Sequence, residues 1–408
     1  MPEPALMRRL LRRSPLAILG CLALVVARAE ETPAPIVDAL TKSATWTSPE
    51  FLALWSRPPS GQTRVCLRYK GNPQIFGVQP EAIQGWFDNG KLTSITITFL
   101  DSGAWFGYVP DAEARTVAQT KGPTFITLYK QVSMAVAQGL EQLAGNKGKE
   151  VTIGLGLLKH PARVFHQGDL ASRLTLDQDQ LVKVSIFPNE EIAAQLLSPE
   201  RRALKRDQAA KAFVGEVHAL PDGDRLIETV PVIPQGDRAY CGVSTLAMVM
   251  RYLGVGLDTE DYAAAAGIHF GSTVRSKIKE TYDAAGETAE LHLPKTTKFD
   301  FMKAKQSLDA GLPVIVFRRW SQERDYLHTT FARNFAANPA LELPKPDLND
   351  QKLWPTKDGF AHASVVNGYN EKRREVIFSE SWGENVRNRR MRVEELEGTS
   401  YLAYYPHF

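Results

Sequence analysis

The stretch from Val230 to Gly254, VPVIPQGDRAYCGVSTLAMVMRYLG, constrains the fold of this chain more than any other. From Gly242 onward the apolar residues Val243, Leu246, Ala247, Val249, Met250 and Leu253 recur at helical spacing, and Gly254 stands where a helix C-terminus calls for a left-handed residue. Cys241 therefore opens a buried helix. Unpaired backbone N–H groups and the positive end of the helix dipole favour a thiolate there, and the thiolate is the reactive form of cysteine. Gln235 stands six positions earlier, followed by the turn-forming Gly236, Asp237 and Arg238. Its amide can donate a hydrogen bond above the sulfur.

A second segment, AHASVVNGYNEKRREVIFSESWGEN, supplies what a thiol needs. His362 begins an apolar strand through Val365 and Val366, and a polar turn leads to a second strand ending at Glu380, Ser381, Trp382 and Gly383. The pattern predicts a hairpin with His362 and Glu380 close together. A thiol requires a base, and an imidazole requires a third group to fix its tautomer and ring plane. Cys241, His362 and Glu380 provide these types in that order.

Gln235 with Cys241, then His362, then the E-S-W-G of 380 to 383, resemble the papain-like cysteine peptidases. Cys-Gly at 241 and 242 and the H-A-x-V-V-x-G-Y run from His362 resemble the bacterial branch that includes double-glycine leader peptidases and their secreted relatives. The resemblance covers about residues 228 to 408. It implies a fold with a helical half and an antiparallel sheet half, peptide or protein substrates, no cofactor and no metal. Glu380 departs from the Asn or Asp usual in that position. Its carboxylate is expected to accept from the imidazole Nδ1–H, while Ser379 and Ser381, on the opposite face of the strand, are expected to contribute little.

The amino terminus reads differently from the rest. Arg8, Arg9, Arg12 and Arg13 precede an apolar run from Leu16 to Val26, and Ala27-Arg28-Ala29 forms an A-x-A cleavage site, so residues 1–29 read as a secretory signal peptide. The run is too short to span a bilayer, no later segment offers about 20 consecutive apolar residues, and a secreted or periplasmic product without a transmembrane anchor is expected. The formal charge of +3 sits mostly in this segment: it holds five of the 49 basic and one of the 46 acidic residues, which leaves 44 and 45. Such a balance does not suggest nucleic-acid binding. Two cysteines, Cys66 and Cys241, follow the signal. A disulfide between them is the plain alternative to a nucleophile, but it leaves Gln235 and His362 without a role.

A chain of 408 residues is expected to hold two folded parts: an α+β domain over 48–215 and the papain-like α+β domain over 216–408, with 30–47, rich in Pro, Thr and Ala, as a linker. In the first part, Ser48 caps a short helix, 63–69 reads as a strand carrying Cys66, and 125–143 returns to helical spacing. Ile95, Ile97 and Phe99 alternate with Ser94, Thr96 and Thr98, as expected of a strand with a polar outer face. His160 and His166 flank a turn and read as surface residues. Nothing there turns into chemistry, and a pro-segment, a docking module and a partner-binding module remain open. Residues 198–212 read as an exposed charged helix. Residues 318–360 form a long interruption, either a lid over the cleft or an unstructured insertion, with His328 expected to be exposed.

The expected activity is peptide hydrolysis by Cys241 and His362, with Glu380 orienting the imidazole and Gln235 contributing to the oxyanion hole. A transpeptidase or transglutaminase-like acyl transferase uses the same residues with an amine as acceptor. A catalytically silent peptide-binding protein is the reading from another class.

Overall fold

Helices and antiparallel sheet make up the chain, as an α+β class requires. The computed structural model describes residues 35–58, 62–110, 112–177, 179–268 and 277–408, so the signal-peptide expectation lies outside the described residues. Residues 35–408 form one compact unit built on two sheets.

The first sheet has seven strands: β1 (Arg64–Arg68), β2 (Ala82–Asp88), β3 (Lys91–Asp101), β4 (Lys149–Ile153), β5 (His160–Gln167), β6 (Leu170–Asp177) and β7 (Leu181–Phe187). All pairings are antiparallel, in the order β1-β2-β3-β7-β6-β5-β4. The helix Ala114–Ala144 packs against β3, β5 and β7 and buries Phe125, Val132, Val136 and Leu140. Residues 35–47 are not a tether. They fold into a helical turn and a short 3₁₀ helix whose Ile36, Leu40 and Trp46 are buried, with the Trp46 indole donating to Ala39 O.

The polar face of β3 is buried rather than exposed. Ser94, Thr96 and Thr98 are covered, and so are Lys183 and Ser185 on neighbouring β7. The start of the helix Thr259–Ala266, from the second half of the chain, lies against them. Thr96 Oγ1 donates to Asp258 Oδ2 at 3.1 Å, the Trp86 indole donates to Asp258 Oδ1 at 3.2 Å, and Lys183 pairs with Asp258 and Asp261. Alternation correctly located the strand; it could not say that a polar face would meet carboxylates instead of water.

The second sheet holds β8 (Val217–Ala219), β9 (Asp224–Ile227), β10 (Lys295–Thr296), β11 (Val314–Trp320), β12 (Phe360–Asn370), β13 (Glu375–Ser379), β14 (Arg389–Arg392) and β15 (Ser400–Tyr404). Its main path is β10-β15-β11-β12-β13-β14, and β9 pairs with the far end of β12 and with β8. Against it packs the helix Cys241–Tyr252, ten of whose twelve residues are buried. Gly254 ends that helix as the spacing predicts: at φ 88° it lets its own N–H reach Arg251 O and the Val255 N–H reach Met250 O, closing a Schellman motif.

Three further expectations change. Residues 198–212 form two short helices, Pro199–Arg202 and Arg206–Val214, and Arg201 is buried, donating to Ala289 O and Glu290. The 318–360 interruption contains a 16-residue helix, Gln322–Ala337, and a short one, Leu348–Lys352. Arg324 ties the long one to Glu395 and Asp350, and His328 is buried with Nε2 3.1 Å from Glu395 Oε1. His328 lies on the helix face that meets the sheet, which is why it is not exposed.

Lys183 is wholly buried between two carboxylates, so its removal leaves Asp261 without its cation. Lys183→Met is expected to cost about 3–5 kcal/mol of folding free energy, read as a lower urea midpoint in tryptophan fluorescence. An unchanged midpoint would contradict the pairing.

Candidate active site

Cys241 is the first residue of its helix, preceded by Tyr240 as N-cap. The small residue after it follows from packing: a Cβ on Gly242 would lie 2.8 Å from Ile278 Cδ1 and 3.3 Å from the Phe317 ring. The Gly242 carbonyl accepts from Tyr282 Oη at 2.6 Å, which anchors the first turn to the helix Ile278–Thr288. Cys241 is a free thiol, so it is not joined to Cys66. Cys66 lies half-buried on β1 against the core.

His362 faces the helix start from β12, where it stands directly opposite Arg318 on β11. Ser364, two residues on, shares its face. Glu380 follows the last residue of β13 and reaches back to that face. His362 Nε2 donates to Glu380 Oε2 at 2.6 Å, and Glu380 Oε1 accepts from Arg318 at 2.7 Å, from Arg389 at 2.9 Å and from Ser364 Oγ at 2.9 Å. The donor to the carboxylate is thus Nε2, not the Nδ1 expected from the sequence, and Nδ1 is left for the Cys241 sulfur, with which the ring is hydrogen-bonded. Trp382 stacks on the imidazole at 4.3 Å between centroids and 26° between planes, covering the His–Glu bond from one side.

Electrostatics follow from these contacts. Burial pushes the Cys241 thiol up, but the hydrogen bond and charge of His362, with the N–H groups of Ala363 and Gly242, bring it below its ordinary value. Burial alone would lower His362; the Glu380 charge and the bond to Cys241 instead raise it to about 9. Burial would raise Glu380, yet the charges of His362 and Arg318 hold it well below the usual carboxylate range. Imidazolium and carboxylate are therefore the favoured charge states of His362 and Glu380 at neutral pH, and the same contacts bias Cys241 toward the thiolate.

Gln235 is brought to the same place by a different route. Its backbone N–H donates to Ser381 O at 2.7 Å, and Ser381 Oγ donates to Gln235 Oε1 at 2.7 Å. Nε2 gives one N–H to Arg238 O at 2.7 Å, which leaves its second N–H. Ser381 thus has a partner that strand alternation did not foresee, because the Gln235 loop crosses its face of the strand. Ser379 has another role, bonding Asn367 and the Asn388 N–H.

Arg318, Ser364, Arg389 and Ser381 were missed by reading the sequence. A signal existed: a carboxylate expected inside a hairpin needs more than one donor, and Arg318 continues the buried strand from Val314. Elsewhere, His160 is half-buried with Nδ1 2.9 Å from Leu158 O, and His166 is exposed near Glu190. Among the described residues no group of three or more His, Cys, Asp or Glu side chains is arranged to hold a metal ion, and no helix is long and apolar enough to cross a membrane.

Residues 227–406 match the Peptidase_C39 like family. The resemblance drawn from Gln235, Cys241, His362 and Glu380 thus holds for the C-terminal half, and the match supports cysteine peptidase activity in general terms. Among solved structures, the chain is similar to one described as a C39-like peptidase from Bacillus anthracis, with 17% identity over 44% of this chain and 96% of that one and a TM-score of 0.29. It is also similar to the peptidase domain of Streptococcus ComA, a bi-functional ABC transporter involved in a quorum-sensing pathway, with 15% identity over 43% of this chain and 96% of that one and a TM-score of 0.27. No curated protein matches the chain.

Glu380→Gln removes the charge that raises His362, so the imidazolium should be lost at lower pH. In the wild type, the rate of Cys241 alkylation by iodoacetamide is expected to keep its ion-pair form up to about pH 9, with the alkaline transition moving to lower pH in the variant. The same change leaves Arg318 and Arg389 buried around a neutral amide and should destabilise the fold by about 3–5 kcal/mol. An unmoved alkaline transition would show that Glu380 does not set the charge of His362.

Proposed function

We propose that this protein is an exported cysteine peptidase that uses Cys241, His362 and Glu380 as a triad. The single observation that carries the reading is the buried relay in which Glu380 bonds His362 Nε2 and leaves Nδ1 for the thiol. The Cys241 thiolate attacks the peptide carbonyl carbon, forming a C–S bond while the carbonyl electrons move to oxygen. That oxyanion meets the second N–H of Gln235 Nε2 and the Cys241 backbone N–H. His362 then passes its proton to the leaving amine as the C–N bond breaks, and the freed imidazole removes a proton from the water that cleaves the thioester. Glu380 keeps the ring in one tautomer throughout, and Trp382 keeps water from the His–Glu bond. Export rests on the basic, apolar and A-x-A pattern of residues 1–29.

A thiol-directed epoxide should label Cys241, and incubation with a peptide library should release products with new amino termini. Cys241→Ala is expected to abolish both while leaving the thermal midpoint near that of the wild type. Gln235→Ala should lower kcat by about 10²–10³-fold, the usual cost of losing one oxyanion donor, and Ser381→Ala should lower it less, since it only orients that amide. Undiminished turnover in purified Cys241→Ala protein would end the proposal.

A further inference from the structure

The amino-terminal half, which no family match covers, reaches the loop that carries Gln235. Asp101 is the last residue of β3 and caps the helix Ser102–Phe106 through Gly103 N and Ala104 N. It is almost fully buried, and its backbone N–H donates to Glu81 Oε2 at 2.9 Å. The same carboxylate accepts two further bonds from across the chain: Tyr240 Oη at 2.9 Å on Oδ1 and the Arg238 guanidinium at 3.0 Å on Oδ2.

Those two partners hold the loop at both ends. Arg238 Nε donates to Gln235 O at 2.7 Å, while the Arg238 carbonyl accepts from Gln235 Nε2 at 2.7 Å, so a single residue grips both the backbone and the amide of Gln235. The guanidinium also lies 4.8 Å above the Tyr240 ring and bonds Glu260 at 2.5 Å. Tyr240 immediately precedes Cys241, and its carbonyl accepts the first helical bond, from Ser244 N. The approach between halves is close: a Cβ on Gly103 would lie 2.0 Å from Tyr240 Oη. A guanidinium so far removed from water needs its anions, and one of the two that hold Arg238 comes from residue 101.

We infer that Asp101 is a positioning residue for acyl transfer: by holding Arg238 and Tyr240 it fixes the 235–240 loop, so that the amino-terminal half completes the oxyanion site instead of masking it. The inference deepens the peptidase reading above and rests on it. Asp101 touches neither His362 nor Glu380, so it acts on the oxyanion donors and leaves the thiolate–imidazolium pair alone. A removable inhibitory pro-segment would not supply a bond on which the working loop depends.

The test uses the full chain with Asp101→Asn, whose amide oxygen in the Oδ1 place still accepts from Gly103 N and Tyr240 Oη, while its NH2 group replaces the oxygen that accepts from Ala104 N and Arg238 and offers Arg238 no charge. Gly103→Ala displaces Tyr240 by steric contact and serves as the second variant. Three quantities are compared with the wild type: kcat and KM for a fluorogenic peptide, the pH profile of Cys241 alkylation by iodoacetamide, and amide hydrogen exchange over 235–240. Alkylation needs the thiolate but no oxyanion hole. Both variants are expected to lose about 10- to 100-fold in kcat with KM within about twofold, a fraction of what losing an oxyanion donor outright costs. Exchange over 235–240 should rise at least about tenfold, as for a segment released from its tertiary ties, with alkylation unchanged. Wild-type kcat and exchange in Asp101→Asn would overturn the inference, and so would alkylation falling in step with kcat, which marks general loss of the fold. If the wild type is alkylated but cleaves no peptide, the peptidase reading fails by itself, and exchange over 235–240 still decides whether Asp101 holds the loop.

Discussion

One buried carboxylate organises the second half of this protein. Glu380 is fully enclosed and is met by Arg318, Arg389, Ser364 and His362, so each of its oxygens is occupied by a donor. Taking such a charge out of water costs several kcal/mol, recovered only when the partners are themselves fixed. Arg318 is fixed by its place opposite His362 on β11. Arg389 is fixed from β14 and also bonds Asp325 and Thr329 on the helix Gln322–Ala337. The network thus requires three strands and a helix from the interruption between β11 and β12 to be in place together. A neutral Asn in place of Glu380 would leave the Arg318 guanidinium without its carboxylate partner and Arg389 with Asp325 alone.

The interruption after β11 is tied into the same network. Its long helix is pinned at Arg324 by Glu395 and Asp350 and at Asp325 by Arg389, the cation that also holds Glu380. Near the imidazole the rim is aromatic: Trp320 lies 5.7 Å from Trp382 and 6.3 Å from Phe360, and Phe360 is largely exposed.

Local rules reached some of this and not the rest, for identifiable reasons. The helix opening at Cys241 was legible because its apolar spacing, its turn-rich approach and its terminal glycine all agree, and each is a property of neighbouring residues. The His362–Glu380 hairpin was legible for the same reason. What failed were several statements about which polar groups meet water, although His166 is exposed as expected. Thr96, Arg201 and His328 all read as surface, and each is covered by an element distant in the chain whose carboxylate or carbonyl replaces the solvent. Alternation gives the two faces of a strand but not their neighbours, and a tautomer choice such as Nε2 toward Glu380 depends on ring placement that no spacing encodes.

The covered polar face of the first sheet also bears on how the chain is made. Lys183 finds Asp258 only 75 positions later, and Asp101 meets Arg238 only after 137. At ribosomal speeds of about 5–20 residues per second, the Lys183 partner emerges about 4–15 s after Lys183 itself. During that interval the uncovered face presents Ser94, Thr96, Thr98, Lys183 and Ser185, groups that water solvates well. A nascent half-protein with that face open is protected from sticking to its neighbours by the same side chains that later dock it, a safeguard an apolar joint between the halves would lack.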